Sequence, residues 1–369
     1  MPPNHDPIAE NVPAGVFTWG GLFGQNMVND MTLENLGGVA QHYLFDDYWP
    51  GSTETCIWKN VIGFLTEAAS VKYATPVYIE QNELRGYGKG LSEYEKSINM
   101  PLPWDGGWWR LGDIVKYEIS STYSILKTAS NHRIDILRYR NEICRKEVER
   151  GSSSAPYYYI LPLTQHDQSE MVSLVNLLHE HGVDTYHLKS DVVFSGRKFN
   201  KGDVVVPLSQ SFRPFIKEVM ESQKYPVRHY TPGGKIIKPY DITSWSLPLH
   251  KGVKSFMIDK PSEEISLNLT KNSSDFTIHS SPSDKYTHLI FPATNNESFK
   301  VAFRAKSSGI RVERLKSDMK IGEEYYGKGS FLIKNTENSK LKKILSALNV
   351  SPGYINISNK LKTAEFTIP

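Results

Sequence analysis

The sequence predicts an α/β protein, on three observations. Apolar runs of strand length, YYYILPL from Tyr157, VDTYHL from Val183 and GDVVVPL from Gly202, alternate with helical periodicity in SEMVSLVNLLHEHG. A second stretch repeats that order. A long helical pattern precedes both, from Leu111 to Arg150, where Ile114, Tyr117, Tyr123, Leu126, Ile136, Leu137, Tyr139, Ile143 and Val148 recur at three- and four-residue steps.

The repeat is the most specific of these signals. GVDTYHLKSD (Gly182 to Asp191) matches GIRVERLKSD (Gly309 to Asp318), and FNKGDVVV (Phe199 to Val206) matches YGKGSFLI (Tyr326 to Ile333), both at an offset of 127. LPLT (Leu161 to Thr164) matches FPAT (Phe291 to Thr294) at 130, which places a three-residue length change in the helix region between. Shared order and shared Gly positions predict two copies of one βαβ-type unit. The long helix closes at Gly151, and Ser152, Ser153, Ser154, Ala155 and Pro156 read as a linker. Six of the seven Trp lie at or before Trp109 and neither Cys lies beyond Cys144, so residues 1–150 differ in kind from the rest of the chain. The expected organisation is a domain at 1–150 and two α/β halves at 151–260 and 261–369. Between the copies, VRHYTPGGKIIKPYDITSWSLPLHKGV reads as ordered connecting structure with a hairpin around Pro232, Gly233 and Gly234.

Composition narrows the function classes. With 369 residues, 39% hydrophobic and 22% charged, the chain is long enough for substantial cores and has the profile of a folded protein. No apolar run approaches the roughly 18 residues of a membrane span. The N-terminal stretch MPPNHDPIAENVPAG has neither a basic nor an apolar leader region and predicts no secretion signal in the chain as given. Net charge is +3, too balanced to point to nucleic acid. From Lys251 onward there are 19 Lys and Arg against 12 Asp and Glu, which leaves residues 1–250 net negative and reads as a solvated basic face.

Most catalytic patterns are absent from the sequence. None of the eleven His begins H-x-x-E, and no C-x-x-C, G-x-S-x-G or G-x-G-x-x-G occurs. His179, Glu180 and His181 read as a solvated helix face, because the second copy has Lys306, Ser307 and Ser308 there. Cys56 and Cys144 lack the small-residue elbow of a nucleophile and read as buried or inert. One carboxylate stands out. In VIGFLTEAAS, Glu67 ends an apolar, strand-like run flanked by Thr66, Ala68, Ala69 and Ser70. A Glu at the end of a buried strand has the environment of a general base or acid, although on pattern alone a strand-end Glu turned to solvent is the better fit. The aromatic loop HYLFDDYWPGST fits either a cleft lining or packing.

The ordered stretches GGLFGQNMVNDM, GVAQHYLFDDYWPGST, VIGFLTEAASVKYATPV and LPWDGGWWRLGDIVKYE resemble the C-terminal part of the catalytic domain of bacterial zinc carboxypeptidases of the carboxypeptidase A-like class. The continuation from YYYILPLTQHDQSEM through LPLHKGV resembles the glutamine-amidotransferase-like α/β domain found downstream in many of these proteins. The resemblance covers nearly the whole chain and weakens after about residue 260. It implies a peptidase that acts on peptide or protein substrates with one zinc as cofactor, with Glu67 as the base that activates the attacking water and a loop Tyr, Tyr43 or Tyr48, contacting substrate. It also implies a periplasmic or extracellular location. The family's zinc ligands precede the PPNHDP stretch, so no residue here is assigned to the metal, and the chain alone is expected to be an inactive distal fragment. Amide transfer needs a Cys nucleophile, and residues 145–369 contain none. The rival expectation is a non-enzymatic α/β protein whose repeated halves bind a ligand or partner.

Overall fold

A computed structural model describes residues 1–46, 48, 55–86, 90–239, 244–279, 285–321, 324–336, 339–357 and 361–367. The chain forms two compact units, one from Met1–Arg150 with Ser209–Trp245 and the other from Gly151–Leu208 with Ser246–Pro369.

The first unit is built on helices. Helix α1 (Ala14–Leu33) buries Val16, Phe23, Met27, Val28 and Met31. Strand β1 (Val77–Ile79) pairs antiparallel with β2 (Gly107–Trp109). Helix α2 (Leu111–Asn131) opens with the Asp113 carboxylate accepting from the Arg110 backbone N–H at 2.8 Å, a first-turn contact that satisfies an otherwise orphaned donor. It packs along α1, where Asn26 Nδ2 donates to Thr128 Oγ1 at 3.0 Å. The single helix expected over 111–150 is two helices. α2 stops at His132, and α3 (Arg133–Ser153) restarts there, because Ser130, Asn131 and His132 are weak helix formers that favour helix ends. In α3 the i,i+4 pairs Glu142–Lys146 and Arg145–Glu149 support an exposed surface. The helix runs through Gly151 to Ser153, so the start of the expected linker is helical.

The second unit holds the repeat. Its first half runs β3 (Tyr158–Leu161), α4 (Gln168–Glu180), β4 (Tyr186–Leu188), a hairpin of β5 (Val192–Phe194) and β6 (Arg197–Phe199), then β7 (Val204–Pro207). The chain then leaves through Ser209–Trp245, whose helix α5 (Arg213–Met220) belongs to the first unit. In that excursion Tyr230 N–H donates to Lys235 O and Gly234 N–H to Thr231 O, closing the tight turn at Pro232 to Gly234. The chain returns with α6 (Leu247–His250), β8 (Phe256–Ile258), α7 (Glu263–Leu267) and β9 (Leu269–Lys271). The second half repeats the plan with β10 (His288–Phe291), α8 (Asn296–Ser307), β11 (Val312–Leu315), the hairpin β12 (Met319–Ile321) and β13 (Glu324–Tyr326), and β14 (Phe331–Lys334). Helix α9 (Ser339–Leu345), β15 (Gly353–Ile355) and β16 (Thr363–Glu365) complete it.

The sheet orders are β8-β3-β7-β4-β9 and β15-β10-β14-β11-β16, the same topology twice. Every neighbouring pair is antiparallel. Because β3 and β4 both run opposite to β7, they are parallel to each other, and α4 is the crossover of a βαβ unit split by β7. The expected βαβ halves are therefore split ones. The halves also divide later than residue 260, since β9 extends the first sheet to Lys271. Register repeats as well, with Tyr186 opposite Val205 and Glu313 opposite Leu332, each pair 127 residues from its counterpart.

The matched LKSD and KG words are turn chemistry. Asp191 Oδ1 accepts from Lys201 N–H at 2.9 Å, and Asp318 Oδ1 from Lys328 N–H at 2.6 Å. Gly202 and Gly329 sit at φ 93° and 95°, where a side chain is strained, and each donates its N–H back to the Leu188 or Leu315 carbonyl. At the N-terminus of α4, Asp167 Oδ1 accepts from Ser169 and Glu170 N–H, and its Oδ2 accepts from Asn296 N–H at 2.8 Å in α8. Asn295 caps α8 in turn. One carboxylate thus serves the equivalent helices of both halves. Asp167→Ala should lower the stability of the second unit by about 1–2 kcal/mol, combining a lost cap on α4 with the lost acceptor of the Asn296 amide. Urea denaturation followed by far-UV circular dichroism measures it.

Candidate functional site

Glu67 does not end a strand. Among the described residues Val61 to Ser70 has no ladder partner, Glu67 is exposed, and Ile62, Phe64 and Leu65 are only half-buried. A single apolar segment is not stable as a strand without a neighbour to take its backbone groups, and β1 and β2 pair with each other. The segment is anchored at both ends, by Val61 N–H donating to Cys56 O at 3.2 Å and by Trp109 Nε1 donating to Ala69 O at 2.8 Å. Burial lowers the Met1 ammonium to about 6, and the Glu118 and Glu67 carboxylates oppose that shift.

The two candidate substrate tyrosines stand in one loop with different surroundings. Tyr43 is half-buried between His42 (φ 51°) and Leu44 (φ 70°), left-handed positions that cost non-glycine residues on the order of 1 kcal/mol each. The loop is held by His42 N–H donating to Pro3 O and His5 N–H donating to Phe45 O. Tyr48 instead belongs to an aromatic cluster. Its ring centroid lies 4.9 Å from that of Tyr225 and 5.8 Å from that of Trp245, which lies 5.9 Å from Trp58. Its hydroxyl donates to Lys224 O at 2.7 Å. Burial, with Glu218, Glu10 and Glu221 adding to it, pushes the Tyr48 phenol up to about 12. No hydrogen bond or ring contact joins Glu67 to Tyr48. The rest of the aromatic loop, residues 47 and 49–53, lies outside the described residues.

Beside this cluster is a buried polar group of residues that no sequence motif marked. Asn11 Nδ2 donates to Glu218 Oε1 at 2.9 Å and also to Glu221, and Lys217 Nζ donates to Asn11 Oδ1 at 2.6 Å. Trp245 Nε1 donates to Glu218 Oε2 at 3.0 Å. Nearby in the same unit, Arg213 and Glu147 are both buried with N and O 3.6 Å apart. The only signal was the placement of charged residues in RPFIKEVM, where Arg213 and Glu218 sit on the face that packs inward. Burial raises the Glu218 carboxyl above its ordinary 4.5 against the Trp245 and Asn11 hydrogen bonds, which lower it. Each of these contacts is internal to the first unit, so the group acts as a lock that joins the 209–245 excursion to Asn11.

The remaining expectations are local. Glu180 is exposed and His179 half-buried, with its Nε2 2.8 Å from Thr185 Oγ1 and its Nδ1 3.0 Å from Ser274 O, both at hydrogen-bonding distance. Cys56 and Cys144 are half-buried and form no disulfide, and Cys144 lies against Arg140 and Asn60. Among the described residues no three His, Cys, Asp or Glu side chains are grouped to hold a metal ion. No described helix is long and apolar enough to cross a membrane. Comparison with protein-family models, with curated proteins and with solved structures finds no match to this chain.

The raised Glu218 pKa fixes the sign of a pH effect. The native state holds this proton more tightly than the unfolded chain, so the stability it contributes is full below pH 4.5 and is lost as pH rises through the raised native value. Glu218→Gln, neutral throughout, should show a flatter decline in unfolding midpoint above pH 4.5 than the parent. Denaturation followed by tryptophan fluorescence, with Trp245 as a neighbouring probe, reads the difference.

Proposed function

We propose that residues 1–150 form the distal part of a zinc-carboxypeptidase catalytic domain, that Glu67 is its general base in peptide-bond hydrolysis, and that the second unit is an accessory α/β module of amidotransferase-like descent without a nucleophile. The observation that carries this reading is the setting of Glu67. Its carboxylate is exposed on an apolar, strand-like segment with small neighbours, and that segment has no ladder partner among the described residues of its own unit. The four ordered motifs that resemble the peptidase class give the same residue the role of base.

In this role a Glu67 carboxylate oxygen takes a proton from the attacking water and returns it to the leaving amine. Among the described residues no group of His, Cys, Asp or Glu side chains is placed to hold a metal ion, and no step is written through one. The Tyr48 hydroxyl donates to Lys224 O, and on this reading the substrate contact is made by Tyr43 or Tyr48.

A second reading, a non-enzymatic binding protein, is favoured by the two sheets of identical topology in the second unit. A ligand that raised the melting temperature of wild type and Glu67→Gln alike, by mass action on the native state, would support it.

The 369-residue chain alone should show no chelator-sensitive peptide hydrolysis. In an assembled peptidase, Glu67→Gln should cut kcat by about 10²–10⁴-fold and change stability by less than about 0.5 kcal/mol, as expected of an exposed side chain. Hydrolysis kinetics paired with thermal melts measure both, and a fully active Glu67→Gln peptidase would defeat the assignment.

A further inference from the structure

We propose that the outward layer formed by α8 and α9 is a docking surface for the anionic headgroups of a lipid bilayer, a binding activity separate from the peptidase reading.

The two helices cover one face of the second sheet. Val301 and Ala305 of α8 and Leu341 and Ile344 of α9 are buried in a single cluster with Phe331 of β14. Lys340 Nζ donates to Ser308 O at 3.3 Å, which sets the start of α9 against the end of α8. With the apolar residues turned inward, Lys300, Arg304, Lys342 and Lys343 are exposed. Lys306 is paired with Glu365 at 2.7 Å, and among the described residues no carboxylate pairs with those four cations. The one acid that the two helices carry is turned in. Glu297 is only 8% exposed, and its carboxylate accepts from Asn349 N–H at 3.0 Å and Val350 N–H at 2.9 Å.

The duplication supplies the contrast. Helix α4 holds the place of α8 in the first half, and it carries Glu170 and Glu180 with no Lys or Arg. Helix α8 carries Lys300, Arg304 and Lys306. A helix in this position therefore packs on its sheet without any cation, so the basic residues serve the outward surface and not the fold.

Charge complementarity calls for an anionic occupant, and the aromatic residues beside the cations select which one. Phe299 and Phe303 stand one turn apart on the stripe next to Lys300 and Arg304, and they are 37% and 44% exposed. Their rings make T-shaped contacts, Phe299 with Phe331 at 5.2 Å and Phe303 with Phe366 at 5.3 Å between centroids. Exposed apolar rings beside basic side chains are the composition of a surface that lies in a membrane interface, where the rings enter the headgroup boundary and the cations meet lipid phosphates. A single-stranded nucleic acid would need ring faces open for its bases to stack, and both rings are already packed against others. Each basic residue near an anionic surface favours partitioning by about fivefold, an effect that salt screens within about 8 Å at physiological ionic strength.

The test is flotation of the 369-residue chain with vesicles of mixed phosphatidylglycerol and phosphatidylcholine, against vesicles of phosphatidylcholine alone. Wild type should float with the anionic vesicles only and be released by raised salt. The fourfold variant Lys300→Gln, Arg304→Gln, Lys342→Gln and Lys343→Gln should lose at least about a hundredfold in partitioning, with far-UV circular dichroism unchanged because these side chains are exposed. A matched variant that removes four exposed cations from α3, Arg133→Gln, Arg138→Gln, Arg145→Gln and Lys146→Gln, should float as wild type does. The proposal is overturned if wild type does not distinguish anionic from neutral vesicles, if the α8–α9 variant floats as wild type does, or if the α3 variant loses as much. It is overturned as well if a single-stranded oligonucleotide strips wild type from the vesicles and its own binding is lost in the α8–α9 variant, since the occupant is then a nucleic acid.

Discussion

The central strands β7 and β14 are the constraint on which the second unit depends. Val204, Val205 and Val206 in one sheet, and Phe331, Leu332 and Ile333 in the other, are buried. Each strand bonds neighbours on both edges. A strand buried on both faces and bonded on both edges is held by two ladders at once, so it cannot shift without breaking both. The helices α4 and α8, the hairpins and the outer strands are all placed relative to that fixed line. The Asp167 carboxylate then bridges the N-termini of the two equivalent helices, so the duplication is joined as well as repeated.

The first unit obeys a different balance. It buries hydroxyl groups between α1 and α2 and exposes aliphatic ones, and it leaves an apolar segment without a ladder among the described residues. Its ordered polar interior, Asn11 with Lys217, Glu218, Glu221 and Trp245, draws on residues more than 200 positions apart in the chain.

What the sequence disclosed depended on whether its signals were local. The repeat was legible because LKSD and KG are turn words with fixed hydrogen-bond duties, and such duties survive divergence of the strands around them. The boundary at 260 was misplaced because β9, residues Leu269–Lys271, is short and mostly exposed and gives little apolar signal. The insertion of β7 between β3 and β4 was not legible at all, since neighbour order in a sheet is set by long-range pairing. Glu67 was read as strand-borne because apolar content reports a preference for a ladder and not the presence of a partner. Glu218 escaped notice because a buried carboxylate is recognisable only from the Trp and Asn that meet it. The helical period at Leu111 to Arg150 was read correctly as helix, and the break at His132 was hidden by apolar spacing that continues across it.

The order in which the chain visits its two units shapes how it leaves the ribosome. After β7 the chain departs to contribute Ser209–Trp245 to the first unit before it returns to supply β8 and β9. Neither unit is complete when its first continuous stretch has been synthesised. The N-terminal helices wait for Trp245 to emerge, and the first sheet waits for Lys271 with both outer edges of β3 and β4 open. Domain-by-domain folding during synthesis is the usual protection against misassembly, and this interleaved connectivity withholds it until Lys271 has been made.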